Sequence, residues 1–255
     1  LAEAINNIGS GLLHAVDDST KNERMKADLI TNVSHDIKTP LTSIINYVNL
    51  IKLEQIDNER VNGYIRILDA KSQRLKQLTE DLVETSRITS GNVKLDMQKI
   101  DLVELIYQTA GEFNEKFEAK ELTIVTKLPK TEVMIRADGR QLYRVIENLY
   151  NNVAKYALEK TRVYVDVHVL EEKVTFSIKN VSERSLALEN SNAGDLTERF
   201  IRGDASRTTE GSGLGLSIAN SLMDLMGGTF RLYVDGDLFK VVLGFAEAKE
   251  KKDEN

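Results

Sequence analysis

The sequence predicts an α helical hairpin, of the kind that pairs into a dimeric four-helix bundle, followed by an α/β two-layer sandwich. Three observations carry this. Ile30, Val33, Ile37, Pro40, Ile44, Tyr47 and Ile51 recur at alternating steps of three and four, the seam of a coiled coil or helix bundle. Ser90-Gly91-Asn92 breaks that pattern. Beyond the break, Val163 to Val169 and Val174 to Ile178 alternate apolar and polar residues with period two, as paired strands do.

Residues 1–26 read as a connector helix, in which Ile5, Leu12 and Val16 keep a helical spacing while Ser19, Glu23 and Lys26 make the join polar. A frayed terminus is the alternative. Residues 27–90 form the hairpin. Its first helix runs from the twenties to about Glu54 and contains Pro40, which cannot donate to the carbonyl of Asp36. A bend or loosening just after His35 follows. A helix that ends near Lys38 is the other reading, and the apolar phase that continues to Ile51 argues against it. Gln55 to Asn58 is a turn, with Asp57 or Asn58 as the next N-cap. The second helix sets Val61, Tyr64, Leu68, Leu75, Leu78 and Leu82 on one face, interrupted by Lys71. One hairpin cannot bury such stripes alone, so a homodimer is expected.

Residues 91–97 are the hinge to a second domain over 98–247. There Leu122 to Thr126 is a strand candidate and Arg140 to about Leu158 is helical. The two alternating strands come next. Residues 182–212 are too long for a tight turn and read as a lid. Gly213 to Met226 is helical, and Phe230 to Phe245 is a hairpin around Asp235-Gly236. Helices on one face of a mixed sheet make the sandwich. Residues 248–255 are a charged tail, expected to be disordered.

Composition excludes several classes. With 29% charged residues and a net charge of -6, nucleic acid is not an expected partner. There is no cysteine, hence no disulfide framework and no thiolate metal site. His14, His35 and His168 are far apart in sequence, against a histidine-rich metal centre. No run approaches the roughly 20 apolar residues of a membrane span, and no signal peptide opens the chain.

Four segments carry chemistry. Ser34-His35-Asp36-Ile37-Lys38-Thr39-Pro40-Leu41 puts an imidazole, a carboxylate and a hydroxyl within two helical turns. His35 falls opposite the apolar seam, with Thr39 one turn on along the same face. Taken alone, a solvated surface histidine is the far commoner explanation. Asn148 and Asn152 stand one turn apart on one helix, with Lys155 three residues further. Amide oxygens can ligate Mg²⁺ and the lysine can meet phosphate. Solvated polar residues on an amphipathic helix are the plainer alternative. Gly211, Gly213 and Gly215 open a helix, where backbone N–H groups can approach a phosphate. Ordinary turns use glycine too, and neither the Walker nor the dinucleotide spacing is present. Glu198 to Asp204 places Phe200 and Arg202 just before those glycines, as an aromatic anchor and a mobile cation or as a charged lid surface.

In this order, the four segments resemble the cytoplasmic portion of bacterial two-component sensor histidine kinases. The resemblance covers about residues 27–246. The H box corresponds to Ser34–Leu41, the N box to Asn148–Tyr156, the F box to Glu198–Gly203 and the G2 box to Gly211–Leu216. Asp138 stands where the family often has an aspartate before the N-box helix. The resemblance implies a dimerising phosphotransfer hairpin and a Bergerat-type ATP-binding domain. The G1 box departs from the family's Asp-x-Gly-x-Gly, because Asn180-Val181-Ser182-Glu183-Arg184 stands there. Asn180 can accept from the adenine amino group but carries no charge, so weakened ATP binding is expected rather than none.

The same resemblance implies autophosphorylation of His35 by ATP, oriented by Asp36, and transfer of the phosphoryl group to an aspartate of a response regulator. Asn148, Asn152, Lys155, Tyr156, Asn180, Gly211, Gly213, Leu214 and Gly215 are the implied nucleotide contacts. Asn152 would hold Mg²⁺ and Arg202 would add positive charge. Thr39 matches the position that orients water for dephosphorylating the regulator. The family is membrane-anchored as a rule, so this chain is expected to be the cytoplasmic part, joined to a membrane only through segments it lacks. Two rivals stand: a dimeric scaffold that senses nucleotide without catalysis, and a topoisomerase-, chaperone- or mismatch-repair-type ATPase. The latter needs no outward His-Asp pair on a hairpin.

Overall fold

The computed structural model describes residues 30, 33–34, 36–54, 56–91, 93–171, 173–183 and 214–246. The predicted connector, His35, the segment 184–213 with Arg202, Gly211 and Gly213, and the charged tail lie outside the described residues. The chain forms two compact units that divide after Val93.

In the first unit, helix α1 spans 36–53 and runs unbroken through Pro40. Around the proline, the Thr42 hydroxyl donates to the Lys38 carbonyl at 2.8 Å and the Ser43 hydroxyl to that of Thr39 at 3.4 Å. Helix α2, Glu59–Thr89, is N-capped by Asn58, whose side chain accepts from Arg60 N and Val61 N. The helix gives way at Ser90, and Gly91 follows at φ +69°, a left-handed position where glycine ends helices without strain. Lys52 and Asp69 form an ion pair between the two helices.

The apolar stripes predicted from spacing lie open in the single chain. Val33, Ile37, Ile44, Tyr47 and Ile51 are exposed on α1, as are Tyr64, Leu68, Leu75 and Leu82 on α2. The buried positions are a different set: Ser34 just before α1, Leu41 and Val48 on α1, and Ile65, Ser72, Thr79, Asp81, Ser86 and Ile88 on α2. Ser34, Leu41 and Val48 recur every seven residues, as do Ile65, Ser72, Thr79 and Ser86. One climbs along α1 as the other descends α2, as antiparallel neighbours require. The inner seam of the hairpin is therefore half hydroxyl. The Ser72 hydroxyl donates to Leu68 O at 2.8 Å and that of Thr79 to Lys76 O at 2.7 Å, so both are satisfied within their own helix.

The second unit contains β1 (Gln98–Asp101), α3 (Leu102–Ala119), β2 (Thr123–Lys127), β3 (Met134–Ala137), α4 (Gly139–Tyr156), β4 (Arg162–Leu170), β5 (Lys173–Val181), α5 (Gly215–Leu225), β6 (Thr229–Asp235) and β7 (Leu238–Ala246). Five strands form one sheet in the order β2-β4-β5-β7-β6. Only the β2–β4 pair is parallel. β1 and β3 make a separate antiparallel pair. The paired strands, the helix after Asp138 and the final hairpin match the sequence expectations within a few residues. β1, α3 and β3 were not predicted. Asp101 caps α3 by accepting from Val103 N, and the same carboxylate accepts Val133 N at 3.1 Å, which ties the helix start to the chain entering β3.

Alternate residues of β4, β5 and β7 face inward: Val163, Val165, Val174, Phe176, Ile178, Val241 and Leu243 are all buried. Leu142, Val145, Ile146, Leu149 and Val153 of α4 and Ile218, Leu222 and Met223 of α5 are buried with them. Beneath α3, Phe113, Phe117 and Tyr150 cluster with ring centroids 5.6–5.9 Å apart. Burial pushes the Tyr150 phenol well above its ordinary value. On the surface, Tyr143 donates to Glu112 at 2.6 Å, and that bond raises its phenol to about 12.

Candidate functional site

Helix α4 supplies most of the site in the second unit. Asn148, Asn152, Lys155 and Tyr156 follow one another at four, three and one residues, along the margin of the stripe that faces the core. All four are half-buried. The Lys155 ammonium lies 5.1 Å from the centroid of the Tyr156 ring, within cation–π range. Asn148 Nδ2 is fully buried with no hydrogen-bond partner. A buried donor without a partner is unfavourable by about 1–3 kcal/mol, so this is a place where a ligand acceptor fits.

Helix α5 comes close at the same point. A Cβ built on Gly215 would stand 3.2 Å from Asn148 Oδ1. Any larger residue at 215 would press on Asn148. Leu214 precedes the helix and gives it no side-chain cap. The first turn of α5 thus offers backbone N–H groups, with their share of the helix dipole, next to the N-box asparagine.

The third component comes from the end of β5. Asn180 is buried at 2% exposure and faces the helical layer. Its Nδ2 donates to Val181 O at 3.0 Å, while its Oδ1 is buried without a partner. The donor half of the amide is committed to the backbone, so the half left open is an acceptor. That suits an exocyclic amino group such as adenine carries. Ser182, where the family has glycine, is also buried and donates its N–H to Asp237 O at 2.7 Å.

These components are physically joined. Leu158 N donates to Val181 O at 2.9 Å and Glu183 N to Tyr156 O at 2.8 Å, with an antiparallel bridge between Ala157 and Ser182. The end of α4 and the end of β5 are therefore held together, bringing Lys155 and Tyr156 near the Asn180 strand. The Lys120 ammonium caps the last turn of α4, donating to Lys155 O at 2.9 Å and Ala157 O at 3.3 Å. Sequence reasoning missed Lys120, and its place at the end of an unpredicted helix left no signal to find it.

Among the described residues no cluster of three His, Asp, Glu or Cys could hold a metal. A Mg²⁺ ion carried in on phosphate oxygens needs only one or two protein ligands, and the amide oxygen of Asn152 suits that role. An open depression of about 440 Å³ lined by Pro129, Thr131, Val167 and Val169 shares no lining residue with α4 or α5.

In the first unit, Asp36 and Thr39 are both exposed on α1. They flank Ile37, also exposed, while Ser34 and Leu41 are buried. His35, Arg202, Gly211 and Gly213 fall outside the described residues.

Comparison with known proteins gives a consistent picture. Residues 25–91 match the family described as the His Kinase A (phospho-acceptor) domain. Residues 137–251 match the histidine kinase-, DNA gyrase B- and HSP90-like ATPase family. Sensor protein VanSC of Enterococcus gallinarum is 34% identical over 209 residues, 81% of this chain and 56% of that protein. Sensor histidine kinase WalK of Bacillus subtilis (strain 168) is 25% identical over 224 residues, 86% of this chain and 36% of that protein. The chain thus spans about half or less of these curated relatives. Full-length ShkA, solved in complex with AMPPNP, superposes with a TM-score of 0.71 at 22% identity, covering 88% of this chain and 47% of that one. Acinetobacter baumannii histidine kinase AdeS gives 0.57 at 17% identity, covering 84% and 98%. At such identities these two speak for the fold.

Proposed function

From the premise that the chain belongs to the bacterial two-component sensor histidine kinases, we propose that it phosphorylates His35 from ATP and passes the phosphoryl group to an aspartate of a response regulator. The observation that carries the nucleotide half is the pair of buried amide atoms, Asn148 Nδ2 and Asn180 Oδ1, that have no partner among the described residues.

Each residue has a defined task. A neutral imidazole is a competent nucleophile near neutral pH. One ring nitrogen of His35 attacks the γ-phosphorus, the bond to the β–γ bridging oxygen breaks, and ADP leaves. Asp36 accepts a hydrogen bond from the other ring N–H and holds the tautomer. Asn180 accepts from the base. Asn148 and the first turn of α5, with Leu214 and Gly215, line the phosphates, and Lys155 and Arg202 add positive charge. Gly211 and Gly213 are assigned to the nucleotide contacts with Gly215. Tyr156 packs beside the nucleotide. Asn152 holds Mg²⁺, which when bound neutralises phosphate oxygens.

The test is the chemistry of the product. Label from γ-³²P ATP is expected to be acid-labile and alkali-stable, as a phosphohistidine is. No label, with nucleotide still bound, would support the rival reading favoured by the neutral Asn180: a dimer that senses nucleotide without catalysis. No binding at millimolar ATP would remove both.

Thr39 is assigned to the reverse reaction. Thr39→Ala should leave autophosphorylation within about twofold and slow dephosphorylation of the regulator by an order of magnitude or more, about the contribution of one positioned proton-transfer group. A parallel loss of both activities would contradict the assignment.

The exposed stripe of α1 and α2 supports a homodimer. Ile44→Asp places a carboxylate in that stripe and is expected to give a monomer in sedimentation, with α-helical circular dichroism largely kept. No helix among the described residues is long and apolar enough to cross a membrane.

A further inference from the structure

Asp138 does more than cap a helix. It is buried, at 7% exposure. One oxygen, Oδ1, accepts the N–H groups of Arg140 at 3.0 Å and Gln141 at 3.1 Å and so caps α4. The other, Oδ2, accepts the N–H of Asp96 at 2.9 Å. A helix cap requires only the first oxygen. The second reaches into 91–97, the stretch through which the chain passes from the first unit to the second.

Two further contacts make the same join. Gln98 pairs with Ala137 in the β1–β3 ladder, directly before Asp138. Gly139 lies so near β1 that a Cβ there would stand 3.2 Å from Ile100 Cδ1. Residues 96, 98 and 100 thus meet residues 138, 137 and 139. The Gln98 side chain also donates to Asp96 Oδ2 at 2.6 Å, which steadies the segment.

We infer that Asp138 is a positioning residue for the phosphoryl transfer: its carboxylate locks the entering segment to the helix that bears Asn148, Asn152 and Lys155. A displacement of the chain at Asp96 then carries α4, and the phosphates it lines, in the same direction. Without this tie the join would rest on the β1–β3 ladder and the Ile100–Gly139 contact, and α4 would follow the hinge less closely. The inference rests on the kinase reading above and adds to it which residue couples hinge to nucleotide.

Two substitutions in the full chain separate this role from capping. Asp138→Asn keeps an oxygen for the cap and turns an N–H₂ toward the Asp96 N–H, donor against donor. Asp96→Pro removes the N–H, together with the carboxylate that accepts from Gln98, and leaves Asp138 untouched; Asp96→Ala, which loses only that carboxylate, is the control and should keep kcat. Asp138→Asn and Asp96→Pro are expected to lower kcat for autophosphorylation at least about fivefold with KM for ATP within about twofold, the scale of one hydrogen bond to a charged group. Amide exchange at Asp96 should quicken at least about tenfold in Asp138→Asn. A rise in KM at constant kcat in Asp138→Asn, or unchanged kcat in Asp96→Pro, overturns the inference and leaves a helix cap. A wild-type chain that takes no label from ATP overturns the kinase reading and this inference with it. A labelled wild type with unchanged variants overturns this one alone.

Discussion

His35→Gln eliminates acid-labile phosphate from the chain while leaving its affinity for ATP within about twofold. The effect is complete because glutamine offers no basic nitrogen with a lone pair free to attack phosphorus, though its amide fills much the same space. Affinity is expected to be preserved because the proposed acceptor and the residues proposed to line the nucleotide belong to separate compact units. The measurement is label retained after alkali treatment, set against binding of a fluorescent ATP analogue. Label that survives the substitution places the acceptor at another residue. Affinity that collapses with it means that residue 35 serves the nucleotide directly.

Asn152→Ala lowers kcat/KM for MgATP by about 10²–10³, the range found when one preorganised electrostatic contact to a developing charge is removed. Asn152 is half-buried on α4, one turn beyond Asn148, and its amide oxygen is the protein ligand assigned to the metal. Its loss strips the phosphates of a neutralising partner, not the adenine of its acceptor. The defect should therefore shrink as Mg²⁺ is raised, and metal-free nucleotide should bind the variant and the wild type alike. An Asn152→Ala chain that loses metal-free binding to the same degree would mean that the residue supports the fold of the site.

Much of this was legible because it is written in periodicity and in glycine. The alternation at Val163–Val169 and Val174–Ile178 is the direct mark of strands with one face on a core. The steps from Asn148 to Lys155 mark one face of one helix. The missed elements share a physical cause. β1 and β3 have four residues each, too few to establish an alternation. Their pairing depends on residues more than 30 positions apart, which no local pattern reports. Helix α3 was readable in principle from Leu102, Ile106, Phe113 and Phe117, with Asp101 as its cap. Gly111 and a polar run between these residues diluted the signal.

The hairpin teaches a different lesson. Hydrophobic spacing found the faces that need a second chain and passed over the face that holds the hairpin together. That face is built from Ser34, Ser72, Thr79 and Ser86 as much as from Leu41, Val48 and Ile65. Apolar counting cannot see hydroxyls, of which those of Ser72 and Thr79 are satisfied by their own helix. The tie at Asp138 was invisible for a similar reason, since a carboxylate before a helix reads as a cap and nothing in the sequence shows where its second oxygen goes.

The self-bonded hydroxyls of Ser72 and Thr79 have a mechanical result. Each carries its hydrogen bond along when its helix turns, so twisting one rod of the hairpin against the other ruptures no bond made by these two groups. Small side chains also present shallow knobs, and dispersion across them varies gently with angle. Such a seam opposes rotation of one helix against the other less than a seam cross-linked by side-chain hydrogen bonds would. The Lys52–Asp69 ion pair beside this bearing is the kind of contact that yields to salt.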